Sequence, residues 1–119
     1  MHEFGLMQSV LESVENAAIE AGASYVSRIT LSIGEMTEVV QDALDFAFEA
    51  LAEGTRSERA QLVVNMIRPR SLCAECGNEF EHDRYHWACP QCDSLATQLL
   101  AGKELYIDSI EVDVSKDED

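Results

Sequence analysis

Between Phe4 and Ala21 apolar residues return every three or four positions, at Phe4, Met7, Leu11, Val14 and Ala18, with Val10 and Ala17 beside them. Glu12, Glu15, Asn16 and Glu20 take the other side, so the spacing predicts an amphipathic helix that Gly22 ends. From Tyr25 to Ile33 the period drops to two. Ile29, Leu31 and Ile33 alternate with Arg28, Thr30 and Ser32, which predicts a strand with one wet face. Gly34 turns the chain, Glu35 to Glu38 lead on, and Val40, Ala43, Leu44, Ala47, Phe48 and Leu51 restore helical spacing before Gly54. Leu62, Val64 and Met66 mark a second strand, and Arg68-Pro69-Arg70 reads as a linker. A short extended run near Leu95 to Leu100 ends at Gly102. The last strand runs from Lys103 to Val114, with Leu105 and Ile107 and then Ile110 and Val112 inward. That parity slips by one near Ser109, as a bulge would make it. Asp117, Glu118 and Asp119 read as a solvated tail.

The order helix, strand, helix, strand, insert, strand predicts an α+β fold in which two helices lie on a three-stranded sheet. Residues 1–68 and 103–119 would form that domain, and residues 69–102 the insert. With 119 residues and 46% apolar content there is enough material for one packed core outside the insert. No apolar run approaches the roughly 18 residues of a membrane span, and no apolar signal segment precedes the first helix, so a cytoplasmic chain is expected.

The insert holds all four cysteines, in two C-x-x-C pairs: Cys73 with Cys76, and Cys89 with Cys92. A disulfide framework does not persist in a reducing cytosol, and a redox dithiol would need only one pair. Two pairs supply four thiolates, which suits tetrahedral Zn(II), with a rubredoxin-like iron site as the chemical competitor. Four sulfurs leave no open coordination position, so the metal would be structural. Gly77 suits the tight turn after the first pair and Pro90 stiffens the second. Each pair therefore reads as a knuckle at the tip of a short hairpin, together a zinc-ribbon domain. So short an insert cannot bury a core of its own, and zinc contributes on the order of 10–16 kcal/mol in such peptides.

Charge narrows the partners. The chain carries 23 acidic and 8 basic side chains, a formal net charge of −15. Between Ser71 and Asp93 stand Glu75, Glu79, Glu81, Asp83 and Asp93 against Arg84 alone. Phosphate binding depends on Lys and Arg that are missing here, which excludes nucleic acid and favours a basic protein or a cation. His82 and His86 read as surface histidines in the connecting loop, with a spare-ligand or proton-sensing role as the second reading. Trp87 reads as packing over the knuckle. No nucleophile–base pair, open metal site or glycine-rich phosphate loop marks an enzyme.

Met1, His2 and Glu3 carry the remaining chemistry. The free amine, the His2 amide nitrogen and the imidazole Nδ1 close two chelate rings, and Glu3 adds its backbone nitrogen or its carboxylate. Ligation by a deprotonated amide favours square-planar Ni(II) or Cu(II) over Zn(II). The plainer alternative is a loose chain start whose acid favours the helix dipole.

Met1-His2-Glu3 running into a helix, Ile33-Gly34-Glu35, Phe46-Ala47-Phe48-Glu49, Gly54-Thr55, the four cysteines, Gly102-Lys103-Glu104-Leu105 and Ser109-Ile110-Glu111-Val112 together resemble the HypA/HybF hydrogenase-maturation nickel metallochaperones. The resemblance covers nearly the whole chain. It implies Ni(II) carried as cargo by Met1, His2 and Glu3, and Zn(II) held by Cys73, Cys76, Cys89 and Cys92. It further implies a GTPase partner, HypB, delivery to a [NiFe]-hydrogenase large-subunit precursor, and in some members service to urease through an accessory chaperone. Some members place a nickel-assisting carboxylate after the first strand. The aligned place here is Val40, with Glu35, Glu38 or Asp42 as substitutes. The alternative function is a zinc-ribbon adaptor that docks a basic partner and carries no nickel.

Overall fold

A computed structural model describes residues 2–114 of the chain. Helix α1 spans Glu3–Glu20, strand β1 Tyr25–Gly34, and helix α2 Gln41–Ala52, with one 3-10 turn at Glu35–Thr37 between the last two. Strands β2 (Gln61–Ile67), β3 (Arg70–Cys73), β4 (Glu79–Glu81), β5 (Thr97–Ala101) and β6 (Leu105–Asp113) complete the order. One sheet has the order β2-β1-β6 and the other β4-β3-β5. The expected α+β architecture, two helices with a three-stranded sheet, is therefore present. The acidic tail at Asp117 to Asp119 lies outside the described residues.

Two compact units divide the chain. One comprises the chain up to Leu31, Val39–Val64 and the chain from Ile107; the other comprises Ser32–Glu38 and Asn65–Tyr106. The helices belong to the first, where Met7, Val14 and Ala18 of α1 meet Leu44 and Ala47 of α2 in a core from which water is excluded. Ile29 and Leu31 of β1 are at most 2% exposed, as the alternating pattern requires. Val26, of the opposite parity, is buried as well, and Ser32, expected on the wet face, is 7% exposed, so alternation fails at both ends of the strand, where both faces are covered. Three residues assigned inward turn out otherwise. Phe4, Val40 and Leu105 are 47%, 55% and 48% exposed. Each stands at or next to the end of an element, where the periodic stripe continues but the described residues cover it only in part. Along β6, Ile107 and Ile110 are half-buried with Asp108 and Ser109 exposed between them, the one-residue slip the sequence implies.

The linker assigned to Arg68-Pro69-Arg70 is shorter than expected, because Arg70 already opens β3. β3 pairs antiparallel with both β4 and β5. In this second unit Gly34 and Gly102 approach so closely that a Cβ on Gly34 would lie 1.9 Å from the Gly102 carbonyl oxygen. Gly34 donates its amide to Glu104 and Met36 donates to Gly102, each at 2.8 Å. Gly102 itself has φ +125° and lies against Pro69. Only a missing side chain allows this contact, which gives both glycines a physical reason. Gly34→Ala should therefore cost more than about 3 kcal/mol, since backbone must move on both sides. Chemical denaturation checks it, and a change under about 1 kcal/mol would contradict it.

Candidate metal centres

The two C-x-x-C segments fold into the same local shape. Cys73 donates its amide to the Asn78 carbonyl at 2.8 Å, and Gly77 donates back to the Cys73 carbonyl at 2.9 Å. In the second segment Cys89 donates to Ser94 at 2.9 Å and Asp93 donates to Cys89 at 2.7 Å. The fourth residue after each leading cysteine is left-handed: Gly77 has φ 78° and Asp93 φ 64°. Gly77 was legible as such a turn; Asp93 was not, although Asp tolerates this region better than most side chains.

This geometry aims the four sulfurs inward. Cys73, Cys76, Cys89 and Cys92 offer Sγ atoms that all lie within 4.8 Å of one another. Cys73 and Cys92 sulfurs are 3.6 Å apart, as are those of Cys76 and Cys89. That is far beyond a disulfide bond and close to the roughly 3.8 Å edge of a tetrahedron with ~2.3 Å metal–sulfur bonds. Cys73 and Cys89 are buried, whereas Cys76 and Cys92 are exposed. Amides flank the buried pair. Cys76 donates to Cys73 Sγ at 3.5 Å, Gln91 donates to Cys89 Sγ at 3.4 Å, and Asn78 Nδ2 reaches Cys89 Sγ at 3.8 Å. Such donors offset the negative charge of bound thiolates. The donor set fits a structural tetrathiolate site.

Without metal the four thiols divide. The Cys76 amide brings Cys73 below the usual thiol value. Burial opposes ionisation of Cys89, but the amides of Cys92 and Gln91 outweigh it and bring that thiol to about 6. The Asn78 amide favours ionised Cys76, yet burial and the sulfurs of Cys89 and Cys73 win and raise it. The Ser94 amide likewise loses to the Cys73 sulfur and burial at Cys92, which rises to about 12. At neutral pH, Cys76 and Cys92 therefore keep their protons until a metal displaces them. Zinc binding to the metal-free protein should release at least two protons, and affinity should fall as pH falls. Calorimetry in buffers of different ionisation enthalpy counts them; fewer than one released proton would contradict this.

Neither His82 nor His86 belongs to the cysteine group, and no second group of three or more His, Cys, Asp or Glu donors forms among the described residues. His82 is not the surface histidine the sequence suggested. It is 7% exposed, with Nε2 2.7 Å from Ser71 Oγ and Nδ1 2.6 Å from the Asp83 carbonyl. A carbonyl only accepts, so Nδ1 donates to Asp83, and Nε2 shares a hydrogen bond with the Ser71 hydroxyl, which can donate or accept. The alternation Glu79-Phe80-Glu81-His82 was the available signal: Phe80 and His82 share a face, their rings 5.4 Å apart. His86 is exposed and pairs with Asp83 at 2.8 Å. Trp87 is 49% exposed, so it covers the knuckle less fully than expected.

At the chain start, Met1 lies outside the described residues. His2 is exposed and stands at the N-cap of α1, its carbonyl accepting the Leu6 amide at 2.9 Å. The amides that open a helix have no partner four residues back, so ligation by the His2 nitrogen breaks no helical hydrogen bond. Glu3 is 5% exposed, and its Oε2 accepts the Val40 amide at 2.8 Å. Val40 is the N-cap of α2 and has no capping side chain of its own. The Glu3 carboxylate substitutes for one and places negative charge at the positive helix start. Val40 offers no carboxylate.

The chain is similar to known proteins along nearly its whole length. Residues 1–112 match a family model described as hydrogenase/urease nickel incorporation, metallochaperone, hypA. It is 36% identical over 114 residues to "Hydrogenase maturation factor HypA" of Aquifex aeolicus, covering 96% of this chain and 99% of that one. The protein of the same name from Chlorobium luteolum is 38% identical over 113 residues, covering 95% and 97%. The solution structure of the Ni metallochaperone HypA from Helicobacter pylori has the same fold, with a TM-score of 0.67 at 23% identity over 97% of this chain and 100% of that one. This chain belongs to the HypA family of nickel-incorporation metallochaperones for hydrogenase maturation, which are not enzymes.

Proposed function

We propose that the chain carries one Ni(II) at Met1, His2 and Glu3 and delivers it to the large-subunit precursor of a [NiFe]-hydrogenase, with Zn(II) in the cysteine site. The observation that carries the nickel reading is the exposed His2 at the very start of α1. There the imidazole faces solvent and the neighbouring amide nitrogens lack helical acceptors. Because its carboxylate is engaged at Val40, Glu3 contributes its backbone nitrogen and holds the segment in place. In this reading the nickel-binding domain is drawn at residues 1–68 and 103–119 and the zinc ribbon at residues 69–102, whereas the compact units group Ser32–Glu38 and residues 65–68 and 103–106 with the cysteines.

Several parts of this reading rest on the family. HypB is the GTPase partner, and the cytoplasm is the site of action, consistent with the absence among the described residues of any helix long and apolar enough to cross a membrane. The family description names urease beside hydrogenase, so delivery to urease through an accessory chaperone is a second route of the same chemistry. Metal analysis of untagged protein after loading and desalting separates this reading from the adaptor alternative. One nickel and one zinc per chain support delivery. Zinc alone supports an adaptor, and iron would change the assignment of the cysteine site.

A further inference from the structure

α1 and α2 lie side by side and run the same way, since Glu3 meets Val40 and Glu15 meets Arg56. Their composition is one-sided. α1 carries Glu3, Glu12, Glu15 and Glu20, and α2 carries Asp42, Asp45 and Glu49, with no Lys, Arg or His on either helix. Against this anionic background two aromatic rings stand in solvent. Phe46 is 65% exposed and Phe4 is 47% exposed, with ring centroids 6.2 Å apart and planes tilted by 58°. The core does not require them, because Met7, Leu44, Ala47 and Phe48 already fill it. Phe4 is one turn ahead of Gln8, on the stripe of α1 that lines an open groove of about 550 Å³. Leu11 and Leu51 form the apolar part of that groove, and Glu12 and Glu15 its acidic edge.

We propose that this helical face is a docking surface for a basic amphipathic helix of a partner protein, anchored by apolar side chains on Phe4, Phe46 and the Leu11–Leu51 groove. Exposed aromatics next to a groove offer the anchors by which a helix is held, spaced three, four and seven residues apart along it. The flanking acids select Lys and Arg on its sides and repel acidic competitors. A second copy of this chain is disfavoured, because symmetric packing would face two acid-only helical layers against each other. Anionic lipid and nucleic acid are disfavoured by the same charge. The surface is complete without nickel, so it stands whether or not the chain start carries that ion.

The test uses zinc-loaded, nickel-free protein and a fluorescent amphipathic peptide of about 18 residues, ~27 Å as a helix. Its Leu residues recur at helical spacing and Lys fills the remaining positions. Saturable binding is expected, followed by anisotropy. Phe46→Ser should weaken it by about tenfold or more. Asp45→Asn with Glu49→Gln should slow association and flatten the salt dependence. Glu79→Gln with Glu81→Gln removes the same charge from exposed positions of β4 in the zinc-binding unit and should leave affinity unchanged. Amide NMR spectra verify that each variant stays folded. Absence of saturable binding, unaltered affinity in Phe46→Ser, or equal losses from both charge variants would overturn the proposal. A concentration-dependent dimer abolished by Phe46→Ser would also overturn it, by assigning the face to a second copy.

Discussion

Cys73→Ala should abolish zinc retention and disorder the hairpins around the cysteines while the far-UV helical signal survives. Apart from Ile33, the cysteine unit has few large buried side chains to replace a lost metal: Pro69, Ser71, Cys73, Cys89 and His82 make up much of the rest of what water cannot reach in it. Removing one sulfur leaves three donors and an open position, and a structural zinc site contributes on the order of 10–16 kcal/mol to folding. The helices have separate support. Met7, Val14 and Ala18 on α1 and Leu44 and Ala47 on α2 are 1% exposed or less, and all lie in the other compact unit. Circular dichroism with a zinc assay distinguishes the outcomes. Loss of the helical signal together with the metal would show that the cysteine segments do not fold as a separate module.

The second large effect is expected at His2. His2→Ala removes an exposed imidazole and leaves the carbonyl that accepts the Leu6 amide, so α1 should form unchanged. Tight Ni(II) binding should fall by roughly a hundredfold or more, about 3 kcal/mol, because the six-membered chelate ring closed by the imidazole is lost and only the ring of the amine and the amide nitrogen remains. Zinc content should stay at one per chain. Glu3→Gln should cost less nickel affinity, since its amide oxygen can still accept the Val40 hydrogen bond and its backbone nitrogen remains. Calorimetric titration of nickel compares the three proteins. Equal affinity in His2→Ala and the parent would move the site elsewhere.

Much of the fold was written in local patterns. Three- and four-residue spacing marks α1 and α2, and strict alternation marks Ile29, Leu31 and Ile33. The cysteine site was also legible, because C-x-x-C fixes its chemistry over a few residues and two such pairs imply a common metal. What escaped depends on partners distant in sequence. Glu3 reaches Val40, and His82 finds Ser71, 37 and 11 residues apart respectively. Periodicity identified the stripes holding Phe4, Val40 and Leu105 but could not say where the covering layer ends. Punctuation by Pro69 hid the start of β3 at Arg70, because the same residues serve a linker and a strand entry equally well.

Blocking the chain start tests nickel carriage most directly. One or two residues added before Met1 turn the terminal amine into an amide and shift the chelate frame, with every side chain of the fold unchanged. Nickel titration should be carried out on the extended protein and on the same protein after the addition is removed by proteolysis. Tight one-to-one binding is expected only after removal, with one zinc per chain in both forms. Equal nickel affinity before and after removal would contradict a metal site built on the first residues of the chain.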